Sequence, residues 1–423
     1  MLRLLILYLS LFLLNQSNAL ADNQHLSIHA GDTEITVERF PAKGKRLFIW
    51  LPSEAGRQGI NTTLATQLVA QGIETWLADL FEANFLPIVE SSMEQIPVEQ
   101  IGALIDAAYS KTRKDIYLVT TGRGAIPFLR GARHWQMQAT SQQGLRGAIL
   151  ISPKFFVETP DPGVESRLMP IVESTNLPLF IIQPKLSPWV WKLPLTVAAL
   201  EGSGSDVFVQ RLPRVRDRFH FRADATARED EVTASLPALL RHASQLLNSL
   251  PQQKRTVATN VAKPPPPRVG KKESQLQAYR GHPIPPALRL KDLQGNSIDL
   301  QQLRGQVVLL NFWASWCPPC VYEMPSMARL MTRLKGQPFT ILAVNMAEDK
   351  STIRNFIRTK VKVNFPIIMD KDGAALKRWQ VFAFPTSYVI DRQGKIRYAL
   401  FGGIEWDKAD IVGKITALIK ESN

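Results

Sequence analysis

The chain has two cysteines in 423 residues, Cys317 and Cys320, and they stand as Cys-Pro-Pro-Cys. Two thiols at this spacing can do what one cannot: the first attacks a disulfide, and the second resolves the mixed disulfide that results. The first sulfur must then ionise near neutral pH. A strand-to-helix junction supplies the means, because the free N–H groups and the dipole at a helix N-terminus favour an anion. Such settings bring a thiol from about 8.5 down to roughly 3.5–7.5. Pro318 and Pro319 fall where helix N–H groups have no intrahelical partner, so they cost the helix little. They also remove donors that would otherwise face the sulfur.

The same spacing could be half a zinc site or a plain structural disulfide. Zinc needs a second cysteine pair or nearby histidines. The chain has neither: its six histidines, at 25, 29, 134, 220, 242 and 282, show no metal-ligand spacing. The pair therefore reads as a redox dithiol, with no metal and no cofactor beyond the redox-active disulfide Cys317–Cys320.

The elements around the pair suit that chemistry. Gln306–Phe312 (QVVLLNF) is an apolar run of the kind buried on both faces of a sheet. Val321–Lys335 follows with helical spacing, apolar at Met324, Met327, Leu330, Met331 and Leu334. Phe339–Asn345 predicts a second buried strand, Ser351–Thr359 a helix, and Phe384–Ile390 a strand entered through a proline. Asp391–Gly394 is a turn, followed by a strand over Lys395–Phe401 and a last helix over Trp406–Ile419. Pro325 should kink the first helix.

FWASWCPPCVYEMPSM, AVNMAEDKSTIRNF, VNFPIIMD and FPTSYVIDRQGKIRYALFGG resemble the TlpA/ResA-like branch of thioredoxin-fold thiol–disulfide oxidoreductases. The resemblance covers residues 279–423. It implies that Cys317 attacks and Cys320 resolves. It puts Pro385 in the place of the family's cis-proline, where backbone pairs with a substrate strand. It makes Glu348 similar to the acidic residue that handles protons near the active site; the alternative for that residue is a solvated loop carboxylate. Trp316 is a platform beside the sulfurs or a packing residue. Phe384, ahead of Pro385, departs from the family pattern, and its bulk is expected to narrow or reshape substrate docking. Glu323 reads as a charge in the first turns of the helix.

Residues 22–250 read as a second α/β domain. Strands are expected at Leu47–Leu51, Ile73–Ala78, Ile116–Val119, Gly147–Ile151 and Leu179–Gln183. Helices are expected at Thr63–Gln71, Val98–Ser110 and Pro237–Leu247. The alternation implies a mostly parallel sheet covered on both sides. The order is similar to an α/β-hydrolase, with Thr120-Thr121-Gly122-Arg123-Gly124 at the nucleophile elbow. Gly122 stands where the attacking serine belongs, and glycine has no atom to attack with. No carboxylate follows the strand at Gln183–Ser187, and His220 has no nucleophile to serve. Ser152, Ser203 and Ser205 lack the elbow context. The domain is expected to be a degenerate, binding-only hydrolase fold.

The remaining segments set location and reach. Met1–Ala21 reads as a signal peptide cleaved near Ala21, with Arg3 ahead of the apolar run Leu4–Leu14. That run is too short to span a membrane core needing about 20 apolar residues. Residues 251–278 form a Pro/Lys-rich linker whose Pro264–Pro267 run stiffens it into a spacer. Net charge divides as +1 for the signal, −1 for 22–250, +5 for the linker and +9 for 279–423. No nucleic-acid motif accompanies that charge, so it reads as a soluble basic face or as attraction to a membrane surface or acidic partners. The expected protein is a periplasmic thiol–disulfide oxidoreductase acting on disulfide-containing envelope proteins and recharged by an unidentified thiol donor. The alternatives are a serine-type hydrolase with a redox appendage, or a binding protein with a structural disulfide.

Overall fold

The structure is a computed structural model that describes residues 24–139, 141–162, 164–252, 254–257 and 275–421. The expected signal peptide and the proline run lie outside the described residues. The described chain divides into two units. The first is built from residues 24–155, Leu168–Ser187 and 194–257, the second from Phe156–Arg167, Pro188–Leu193 and 275–421. Among the described residues no helix is long and apolar enough to cross a membrane.

The first unit contains eight strands. They are β1 Gln24–Ala30, β2 Thr33–Phe40, β3 Arg46–Trp50, β4 Ile73–Ala78, β5 Asp115–Thr121, β6 Leu145–Ile151, β7 Leu179–Leu186 and β8 Val207–Arg216. They form one mixed sheet in the order β1-β2-β4-β3-β5-β6-β7-β8. From β4 to β8 all neighbours are parallel; β3 to β7 are mostly buried, as in a sheet covered on both faces, whereas the edge strand β8 is largely exposed. β1 and β2 are antiparallel, as is β2 against β4. The expected parallel sheet thus carries an antiparallel hairpin at one edge, turned at Gly31 with φ +59°.

The closing helix runs over Ala227–Ser249, ten residues earlier than Pro237 suggests. Thr226 starts it: Thr226 Oγ1 accepts from Glu229 N, and Glu229 Oε2 accepts from Thr226 N. This reciprocal cap satisfies two orphan donors at the helix start.

The second unit holds β9 Gln277–Ala278, β10 Arg289–Asp292, β11 Ser297–Asp299, β12 Val307–Trp313, β13 Phe339–Met346, β14 Ile367–Asp370, β15 Thr386–Ile390 and β16 Ile396–Phe401. Their order is β11-β10-β14-β13-β12-β15-β16-β9, with β12, β13 and β14 parallel and the other pairings antiparallel. The fold is α/β and thioredoxin-like.

β12 is buried along its whole length, and its residues sort by parity. Val307, Leu309 and Trp313 face one core with Met324, Met327 and Leu330 of the helix Pro318–Arg333. Val308, Leu310 and Phe312 face the other, with Trp379 and Tyr388. A strand's period of two then assigns Asn311 to the helix side. Pro325 lies inside the helix, which is continuous from Pro318 to Arg333. The last helix spans Ala409–Lys420 and excludes Trp406, because the Trp406 backbone N–H donates to Ser326 Oγ at 2.9 Å.

Candidate active site

Cys317 is the N-cap of the helix Pro318–Arg333, and its Sγ accepts a hydrogen bond from the Cys320 N–H at 3.3 Å. The two prolines between them have no N–H, so the first donor the helix offers is spent on this sulfur. The sulfurs are bonded to each other. Cys317 is 5% exposed and Cys320 fully buried, which makes Cys317 the one an incoming disulfide can reach.

The Phe384–Pro385 peptide is cis. The Trp316 ring meets Phe384 edge-on at 5.8 Å, and both pack on the core cluster that contains the two cysteines. One loop ties this segment to the Cys-Pro-Pro-Cys turn. The Gly402 N–H donates to the Pro385 carbonyl at 2.9 Å. Gly403 lies so close to Pro319 that a Cβ there would stand 2.8 Å from its carbonyl oxygen. Trp316, Phe384 and Pro385 are therefore gathered around Cys317 and Cys320.

Glu348 is half-buried and held by three donors. Its Oε2 accepts from Ser315 N at 2.7 Å and Asn345 Nδ2 at 2.8 Å, and its Oε1 accepts from Ser315 Oγ at 2.5 Å. It is thus a clamp on the residues just ahead of Cys317, rather than a carboxylate loose in solvent.

Glu323 departs from the expected surface charge: it is fully buried. Its Oε1 accepts from Asn311 Nδ2 at 2.7 Å, and its Oε2 from Trp406 Nε1 at 3.0 Å and Ile404 N at 3.4 Å. Burial pushes its pKa up to about 8 despite these bonds. It follows Cys320 by three positions, one turn along the same helix face. That spacing was visible in the sequence, since 320, 323, 327 and 330 form one stripe.

With this geometry in view, the relatives are informative. The AhpC/TSA family model matches residues 281–399. The thiol-disulfide oxidoreductase ResA of Bacillus subtilis is 40% identical over 111 residues, 26% of this chain and 62% of that protein. ResA of Geobacillus kaustophilus is 38% identical over 117 residues, 28% of this chain and 67% of that protein. This chain belongs to the ResA family of thiol-disulfide oxidoreductases. Its match spans about two thirds of the length of these ResA proteins. Among solved structures, StoA from Bacillus subtilis aligns at 26% identity over 31% of this chain and 98% of its own, with a TM-score of 0.28.

The first unit lies outside residues 281–399, and its elbow-like turn is filled. Gly122 has φ +62°, and a Cβ on it would stand 2.4 Å from Glu54 Oε2. That buried carboxylate accepts from the Arg123 N–H at 2.8 Å and pairs with Lys154 at 2.7 Å and Arg218 at 2.9 Å. Burial acts to raise its pKa, but Lys154, the Arg123 N–H and Arg218 outweigh it and hold the group at about 2. The sequence reading missed Glu54, whose partners come from three separate segments. His220 is buried, which lowers its pKa to about 3, and its Nε2 lies 3.3 Å from Thr121 Oγ1. Ser203 and Ser205 bond to carbonyls of their own neighbourhood, among them Thr175 O, well away from this cluster in their contacts. Ser152 is buried after β6 with φ +47°.

Proposed function

We propose that the chain is an exported thiol–disulfide oxidoreductase that reduces disulfides of envelope proteins. The observation that carries this reading is the Cys317 sulfur capping its helix with the Cys320 N–H aimed at it. That donor and the helix dipole behind it stabilise a thiolate. In the reduced enzyme the Cys317 thiolate attacks one sulfur of a substrate disulfide and displaces the other as a thiolate. Cys320 then loses its proton and attacks the Cys317 sulfur, which releases the second substrate thiolate and leaves Cys317–Cys320 oxidised. Two electrons pass to the substrate in all. An external dithiol donor returns them.

Glu323 takes the Cys320 proton. It is the buried carboxyl one turn from that thiol, and its raised pKa suits an acceptor working near neutrality. Glu348 holds Ser315, and through it the approach to Cys317. Trp316, Phe384 and Pro385 form the surface on which a substrate strand lies. Residues 22–250, as a domain, recruit a substrate or partner across the linker 251–278. Met1–Ala21 supports export to the periplasm, and the basic charge of 279–423 supports work near an anionic membrane surface. The reducing direction rests on likeness to the ResA family.

The test is a trap. Cys320→Ala should hold Cys317 in mixed disulfides with envelope proteins, identified by mass spectrometry after non-reducing separation. Equal capture by Cys317→Ser would overturn the assignment.

A further inference from the structure

Asn311 lies on β12 between the helix carboxyl and β15, and is fully buried, as are both its partners. Its Nδ2 donates to Glu323 Oε1 at 2.7 Å and to Ser387 Oγ at 2.9 Å. Its Oδ1 has no hydrogen-bond partner among the described residues. This arrangement suits an ionised Glu323, which only accepts. It does not suit the neutral acid. Oε2 faces the Trp406 indole N–H and the Ile404 backbone N–H, which can donate but never accept. A proton on Glu323 must therefore reside on Oε1, where it would point at the Asn311 amino group, donor against donor.

An asparagine side chain has an acceptor at the opposite end of the same plane. We propose that Asn311 is a two-position amide relay: it donates Nδ2–H to the Glu323 carboxylate and, turned over, accepts the Oε1–H of the neutral acid on Oδ1, while the Ser387 hydroxyl switches from acceptor to donor. Serine is the residue that permits this, because its hydroxyl serves either role. Each position leaves one end of the amide unpaired, so neither is strongly preferred and the carboxyl sets the choice. The groups that bond Glu323 are Asn311 from β12 and Trp406 and Ile404 from the loop after β16; Ser387 of β15 reaches it through Asn311, and Cys320 stands one turn back on its own helix. Among the described residues, burial and the bonds from Trp406, Asn311 and Ile404 set its titration. Asn311 thereby acts as a positioning residue that lets the carboxyl hold or release a proton inside the core. The proposal rests on the reading of Glu323 as proton acceptor.

Neutron diffraction from the deuterated, oxidised full chain tests it, because oxygen and deuterated nitrogen are told apart directly. In crystals two pH units below the Glu323 midpoint, Oδ1 of Asn311 should face Oε1, with deuterium on that oxygen. Two units above, a deuterated Nδ2 should face it. The same atom facing Glu323 in both crystals overturns the relay. A second measurement follows the Glu323 carboxyl carbon by NMR in Asn311→Leu: because the relay bonds both forms, the midpoint should rise by well under the about 1–2 pH units that losing a donor to the carboxylate alone would cause. A rise of that full size or more also overturns it. The underlying reading fails separately: if Glu323→Gln leaves the pH profile of disulfide exchange unchanged, Glu323 is no proton acceptor, whatever the amide does.

Discussion

Glu323 follows Cys320 by one helical turn and shares its complete burial. A carboxyl in that position has consequences for both stability and rate. In the unfolded chain it ionises near 4.5; in the fold it holds its proton to about 8. Between those values the folded form binds a proton the unfolded form has lost, so stability falls as pH rises through the window. Glu323→Gln removes the effect. The variant should gain on the parent as pH climbs from about 5 to 8, by up to about 4 kcal/mol. Urea unfolding across that range measures it; a gain that shrinks with rising pH would contradict the account. Exchange with a dithiol should slow by about a hundredfold if the carboxyl takes the Cys320 proton.

Glu348 and Ser315 make the second test. Glu348→Ala leaves the Ser315 N–H and hydroxyl without their carboxylate. The loss should cost about 1–3 kcal/mol and loosen the residues ahead of Cys317. Dithiol exchange should fall about tenfold, with Glu348→Gln in between because its amide oxygen can still accept from one donor. Wild-type rates in Glu348→Ala would remove the clamp from the mechanism.

Gly403 is a steric test of the loop that joins the cis-proline segment to the Cys-Pro-Pro-Cys turn. A methyl group there would meet the Pro319 carbonyl at 2.8 Å, so backbone must move. Gly403→Ala should destabilise by about 1–3 kcal/mol and slow exchange with protein disulfides more than with a small disulfide. Equal slowing of both would mean that the substrate surface is elsewhere.

In the first unit Glu54 fills the space a nucleophile at position 122 would need. Glu54→Ala leaves the buried Arg123 N–H without its acceptor, while Lys154 and Arg218 are partly exposed and stay hydrated, so it should cost about 1–3 kcal/mol, read as a lower melting transition. Exchange at Cys317 should be unchanged. Gly122→Ser should not react with a fluorophosphonate serine probe, because Glu54 already holds the Arg123 N–H that would stabilise an oxyanion. Labelling of the wild-type chain would revive the hydrolase alternative.

Much of the second unit was legible because its signals are local. The parity of Val307–Trp313, the helical stripe at Met324, Met327 and Leu330, and the cysteine spacing each occupy one short window. The β1–β2 hairpin was legible too: Leu26 and Ile28 alternate toward Gly31-Asp32, and Ile35 and Val37 alternate away from it. Its period-two pattern simply went unread. The final helix starts late because Trp406 is drawn onto Ser326 and Glu323, eighty and more residues away. Glu54 lay beyond sequence reasoning for the same cause, since nothing near it announces Gly122, Lys154 and Arg218. Glu323 was misjudged on residue type: a glutamate in a first turn usually faces water, and only its register with Cys320 shows otherwise.

The measurement closest to the central claim is the ionisation of Cys317 in the reduced full-length protein, followed by the pH dependence of its alkylation with iodoacetamide in a Cys320→Ala background. The Cys320 N–H and the helix behind it should bring the midpoint below 7.5, at least about one unit under a free thiol. A midpoint at or above the free value of about 8.5, together with no exchange with dithiols, would contradict it.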